Sequence, residues 1–407
     1  MSYPIPSPIY DNLQYLRDQV LASTCSADQK KDFSAVKDFL LQYNGSKDSF
    51  NAYRRELERL TQWAWFIYQK PVIELVRQDI EPYLKFCQNP PKMWIAVKNV
   101  SRFKNINGKR TVNVEWRPFV AGLSKSEVKN GRIPSKGDYK FSQTSLKELF
   151  AIISSFYNYL VQIEMRESNP ILQIRQKNKY VQKTQERIQP IRRLSTLQWD
   201  YTIETAELMA KDNPKKYERT YFMMTLLYGM YLRISELVET PRWQPKMNDF
   251  YRDQDGLWWF KTVGKGNKLR EISVSDAVLT ALKRWRKFLG LLGLPTLTDS
   301  SPLIPKEKGS EGLSDQRHVR SIVQKCFDRA MERLANDGFN DEAVAMQNAT
   351  VHWLRHTGIS DDVKIRPREH VRDDAGHSSG AVTDKYINIE RRERHATGKK
   401  KPIRKAL

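Results

Sequence analysis

A chain of 407 residues is long enough for two domains that each bury a core. Its 69 Lys and Arg against 47 Asp and Glu leave a formal charge of +22, which points to a polyanionic partner, with a basic peripheral membrane protein as the competing reading. No apolar run approaches ~18 residues and no basic, apolar, small-residue leader opens the chain, so a soluble cytoplasmic protein without a spanning helix is expected. Cys25, Cys87 and Cys326 are odd in number and far apart, and predict neither a disulfide nor a zinc site.

In chain order, residues 1–30 read as a mixed, proline-containing arm. Helical patterning begins near Phe33, and its clearest stretch follows Ser46 and Asp48. There Phe50, Tyr53, Leu57, Leu60, Ala64 and Ile67 recur every three or four residues, which places Arg54, Arg55, Glu58 and Arg59 on the surface. Residues 72–88 read as a short helix or a pair around Pro82, and 144–165 as a strongly apolar helix. Together they predict a helical bundle over 31–170. Within it, residues 89–140 hold 12 Lys and Arg against three acidic residues, with Trp94, Phe103, Trp116 and Phe119 interleaved. This segment is either a nucleic-acid contact or a solvated basic loop whose aromatics pack on the helices. Asn107-Gly108 predicts a β-hairpin inside it. The polar, basic stretch 171–194 reads as an interdomain linker able to cross a phosphate backbone.

The second half is patterned as helices over 196–211, 215–232, 276–290 and 314–335. A strand pair, 257–263 and 269–274, interrupts them and puts Lys265 at a hairpin tip. Residues 391–407 form a basic tail. The fold class expected is mainly α with a small β-sheet.

Four segments carry the chemistry: GMYLRISEL with Arg233 and Glu236, VGKGNKLREI with Lys265, HWLRHT with His352, Arg355 and His356, and AGHSSGAVTDKYI with His377 and Tyr386. As a set they resemble the tyrosine recombinase (phage integrase) family over about residues 195–390, although each alone is weak. Arg233 matches the first arginine of the family's LR-[IV]-[SG]-E-L segment and Lys265 the first lysine of its G-K-G-x-K turn. His352 and Arg355 match its H-x-L-R-H-T, and His377 and Tyr386 its L-G-H-S and the tyrosine nine residues later. The resemblance implies an N-terminal helical core-binding domain and an α-rich catalytic domain closing as a clamp on double-stranded DNA. It implies site-specific cleavage and rejoining through a 3′-phosphotyrosyl enzyme, a homotetramer on paired sites, and no metal, ATP or other cofactor.

Elementary chemistry gives each residue type a reason to be there. A phenol with an ordinary pKa near 10 is a poor nucleophile, so Tyr386 needs a base, and His352 is the candidate. The planar guanidiniums of Arg233 and Arg355 can fork onto non-bridging phosphate oxygens and stay charged as the pentacoordinate state develops. Lys265 on a mobile tip can protonate the departing 5′-oxygen, with Lys268 as its rival. His377 would donate to the phosphate, Glu236 would orient the cations, and His356 would buttress the site.

Two other functions compete with this one: a type IB topoisomerase-like relaxing enzyme, against which the spacing argues, and a catalytically silent DNA-binding accessory protein, which the filled motif positions disfavour. The pattern departs from the family in Ala375 before Gly-His, in Asn388 after the tyrosine, and in the charge of residues 361–374. A short or mobile helix ahead of His377 is therefore expected.

Overall fold

The computed structural model describes residues 3–172, 192–264, 267–291, 293–377, 379–380 and 382–383. Lys265, Tyr386, most of the linker and the basic tail lie outside the described residues. The chain divides into two compact units, Met1–Arg187 and Ile188–Leu407.

In the first unit, helices start where a short polar side chain can take the free N–H groups of the first turn. Ser26 and Gln29 cap each other at the head of Ala27–Leu41, Ser46 caps Lys47–Trp63 through the Ser49 N–H, and Ser142 caps Gln143–Gln162 through the Ser145 N–H. The helix after Arg77 runs through Pro82 to Gln88 without breaking. These elements bury Leu57, Leu60, Trp63, Tyr83, Phe156 and Tyr157 in one core.

The charged side of Lys47–Trp63 corrects the sequence reading. Arg54 and Glu58 are buried, and Arg59 is nearly so. Glu58 accepts from the Ile9 N–H at 2.7 Å and from Arg102 Nε at 2.5 Å. Arg59 donates to the Pro118 carbonyl at 2.9 Å and lies 4.7 Å over the Phe119 ring. The face that reads as surface is covered by the N-terminal arm and by the 89–140 segment, which supply partners to Glu58 and Arg59, while Arg54 donates to Asn51 on its own helix. Trp94 and Phe119 are fully buried and Trp116 nearly so, so these aromatics pack inward.

The hairpin forms where the turn pair predicts it. Phe103–Ile106 pairs antiparallel with Lys109–Val112, and Asn107 and Gly108 both take positive φ, 49° and 77°, as a type I′ turn demands.

The second unit is built on Thr196–Asp212, Pro214–Gly229, Asp276–Phe288 and Gln316–Asn336, packed around Met223, Leu227, Phe250, Phe260, Trp285 and Phe327. Its antiparallel sheet has three strands, Phe250–Arg252, Trp258–Val263 and Leu269–Ser273. The first is three residues long, too short for alternation to register. The helix expected over 215–232 stops at Gly229, because Tyr231 adopts φ 50° and the chain turns out of helical geometry. Three short helices follow in the last part, Asn340–Met346, Val351–Asp362 and Arg368–Ala375. No helix among the described residues is long and apolar enough to cross a membrane.

Candidate active site

Three segments distant in sequence meet around Glu236. Beyond Tyr231 the backbone is extended at Arg233 and closes a single 3-10 turn, Ile234–Glu236. Glu236 is 1% exposed. It accepts from the Arg233 N–H at 2.8 Å, from Arg233 Nη1 at 2.9 Å and from Arg270 Nη2 at 2.7 Å. One carboxylate thereby holds two guanidiniums in fixed directions, as a buried charge requires.

Arg355 comes from Val351–Asp362 and is 3% exposed. It donates through Nη2 to the Ala375 carbonyl at 2.5 Å and through Nη1 to the Tyr231 carbonyl. The Ala375 carbonyl also takes a hydrogen bond from Arg270, and the Gly376 carbonyl accepts from Arg233 Nη2 at 3.4 Å. The C-terminus of Arg368–Ala375, where the helix dipole is negative, is thus the point to which three arginines converge. Gly376 ends that helix at φ 62°, and a Cβ there would stand 2.8 Å from Arg270 Nη1. Glycine is required both by the left-handed backbone and by the close approach of the guanidinium.

Three histidines line the same region. The rings of His352 and His356 stand 4.8 Å apart, edge to face. His352 lies on the exposed side of its helix, where desolvation of its packed edge and then the charges of Arg355 and Arg233 hold it below the ordinary imidazole value. Burial, followed by the neighbouring cations and histidines, lowers His356 to about 4. Burial and the charges of Arg355, Arg233 and Arg270 lower His377 to about 4 as well. All three are neutral at pH 7. His377 Nδ1 sits 2.9 Å from Thr383 Oγ1, a contact that fixes the direction of the ring.

Of the residues singled out from the sequence, Arg233, Glu236, Arg355 and His377 are brought together, with His352 and His356 beside them. Lys265 and Tyr386 lie outside the described residues, yet the chain leading to Lys265 is in place. A Cβ on Gly264 would lie 3.4 Å from Arg233 Nη1, and the Gly264 N–H closes the turn on the Lys268 carbonyl at 2.8 Å.

Sequence reading missed Arg270 and Tyr231. Arg270 stands in the same VGKGNKLREI segment as Lys265, on the face of Leu269–Ser273 that carries buried Ile272, but alternation alone does not say that Glu236 and the Ala375 carbonyl lie on that side. The charged run 361–374 has a structural use. Arg366 bonds Asp374 at 2.5 Å and Asp362 at 3.1 Å, and Asp374 accepts from Ser273 Oγ at 2.7 Å. The helix before His377 is short, eight residues, and these bonds tie it to the sheet. Among the described residues no group of three His, Cys, Asp or Glu gathers as a metal cage.

The sequence profile of the phage integrase family matches residues 201–393. The chain is 28% identical over 211 residues to the tyrosine recombinase XerD of Rickettsia prowazekii (strain Madrid E), covering 49% of this chain and 63% of that protein. It is 26% identical over 264 residues to the tyrosine recombinase XerC of Caldanaerobacter subterraneus subsp. tengcongensis, covering 62% and 61%. The alignments therefore span less than two thirds of either relative. In fold, the chain is similar to XerH site-specific recombinase, crystallised bound to palindromic difH substrate in a post-cleavage complex. That likeness has a TM-score of 0.53 at 16% identity and covers 98% of this chain and 99% of XerH.

Proposed function

Residues 201–393 form a domain of the phage integrase, or tyrosine recombinase, family, and from that premise we propose that the protein is a site-specific recombinase that cleaves and rejoins duplex DNA. The observation that carries this is the convergence of Arg233, Arg270 and Arg355 on the backbone just before His377, nine residues ahead of Tyr386.

In the proposed reaction the Tyr386 oxygen attacks phosphorus while His352 takes the phenolic proton; the neutrality of His352 at pH 7 supports that role. Arg233 and Arg355 stabilise the charge gathering on the non-bridging oxygens, and His377 donates a hydrogen bond to them. The bond from phosphorus to the 5′-oxygen breaks, Lys265 supplies the proton to that oxygen, and a 3′-phosphotyrosyl bond is left. Glu236 and His356 position the charged groups. The bond energy is conserved in the phosphotyrosine, so rejoining is the reverse reaction and neither metal nor ATP is needed. The first unit, residues 31–170, would hold DNA as the core-binding domain, with 171–194 as its linker, 195–390 as the catalytic domain and 391–407 as a basic tail. The active assembly would be a homotetramer on two paired sites, working in the cytoplasm at the nucleoid.

The test is a covalent adduct. Wild-type protein denatured after incubation with a nicked cognate site should migrate bound to DNA, and Tyr386→Phe should not. Adduct formation by the phenylalanine variant would sink the assignment.

A further inference from the structure

Within the first unit, a cavity of about 620 Å³ opens between the Lys47–Trp63 helix, the 89–140 segment and the start of Gln143–Gln162. Six cations line it, Arg54, Arg55, Arg59, Arg102, Arg117 and Lys140, against two carboxylates, Glu56 and Glu148. The carboxylates are already engaged: Glu56 by Arg55 at 2.6 Å and Arg59 at 3.0 Å, and Glu148 by Arg55 at 3.0 Å. Arg102 donates to buried Glu58, and Arg117 gives Nη1 to the Val114 and Trp116 carbonyls.

Arg54 differs from the others. It is 8% exposed, it donates Nη2 to Asn51 at 2.8 Å, and its buried Nε has no hydrogen-bond partner among the described residues. Burial and the nearby Arg102 lower it to about 10, so it remains a cation at neutral pH. A buried guanidinium with an unused donor is costly unless something accepts from it. The wall is also preorganised, since Arg102 lies 5.2 Å over the Trp116 ring and Arg59 stacks on Phe119. Trp116, Tyr139 and Phe141 add aromatic surface to the lining. The volume falls in the range of small-molecule sites, roughly 300 to 1,000 Å³.

We propose that this cavity is a second anion site, taking the phosphate of a nucleotide on Arg54 with its base against the aromatic wall. The site lies wholly in the first unit and stands whether or not Tyr386 cleaves DNA. The ligand is a free nucleotide, and contact with a DNA strand is the competing outcome.

The full-length protein, titrated calorimetrically with pyrophosphate, with deoxyadenosine monophosphate and with a short duplex of unrelated sequence, tests this and separates the sources. Saturable binding of pyrophosphate and the mononucleotide, weakened about tenfold by Arg54→Gln and by Lys140→Ala, supports the site with a free nucleotide as ligand. Binding of the duplex alone, weakened about tenfold by those variants and unchanged by Lys85→Ala outside the lining, would make these residues part of the first unit's DNA contact and overturn a separate nucleotide site. Unchanged binding of all three probes by Arg54→Gln with a native melting temperature overturns it. Should Arg54→Gln fail to fold, Arg117→Ala and Lys140→Ala decide by the same criteria.

Discussion

Arg355 is buried, and its two terminal nitrogens donate to the carbonyls of Tyr231 and Ala375. Backbone carbonyls fix the direction of that guanidinium, whereas the Arg233 guanidinium is fixed by the carboxylate of Glu236. The same positive field acts on the histidines. His356 and His377 are each lowered from 6.5 to about 4, so between those pH values the unfolded chain binds more protons than the folded one. Their neutral-state stability is complete above pH 6.5 and is lost as the pH falls toward 4. The melting temperature should be level above pH 7 and decline below pH 6.5, and His356→Gln should flatten that decline. Both side chains are partly exposed, so solvent screening reduces the effect. A melting temperature independent of pH between 7 and 4 would contradict the depressed values.

At the scale of elements, the position of Arg355 depends on how closely two helices approach. Val351–Asp362 lies against Pro214–Gly229 with Gly358 at the contact, where a Cβ would stand 2.1 Å from the Tyr228 carbonyl oxygen. The Tyr228 ring is itself stacked on Trp199 at 3.9 Å and its hydroxyl bonds Asp361 at 3.1 Å, so the carbonyl has little room to retreat. In an exposed helix, Gly→Ala would stabilise by up to ~1 kcal/mol. Here overpacking should reverse the sign, and Gly358→Ala should lose about 3 kcal/mol. Urea unfolding measures this directly; a variant as stable as the wild type would show that the helices separate freely. DNA cleavage by Gly358→Ala should also fall, because the displaced helix carries both Arg355 and His352.

For the whole molecule, the net charge of +22 is a statement about binding before it is one about chemistry. Each phosphate neutralised releases counterions, so the logarithm of the DNA association constant should fall with the logarithm of salt at a slope near ~0.9 per phosphate contacted. Fluorescence anisotropy across a salt series would give that slope, and a flat response would refute the polyanion reading. Much of this protein was legible in one dimension. Charge pointed to the class of partner, Ser46 and Ser142 marked helix starts because capping is local, and Asn107-Gly108 marked a turn because both positions need positive φ. Three of the four motif segments named Arg233, His352, Arg355 and His377 through their resemblance to the family, as groups able to hold a phosphate. Other features depended on contacts between remote segments. The amphipathic pattern of Lys47–Trp63 assigned Glu58 and Arg59 to solvent, since periodicity cannot foresee that residues 89–140 will cover the charged face and supply partners. Arg270 and Tyr231 join the site through contacts with Glu236, Ala375 and Arg355, segments remote in sequence that no local pattern brings together. The sequence by itself determined the net charge, the helical character and the chemical groups. Only the tertiary structure decided which charges are buried and what holds them, because desolvation and pairing act through space.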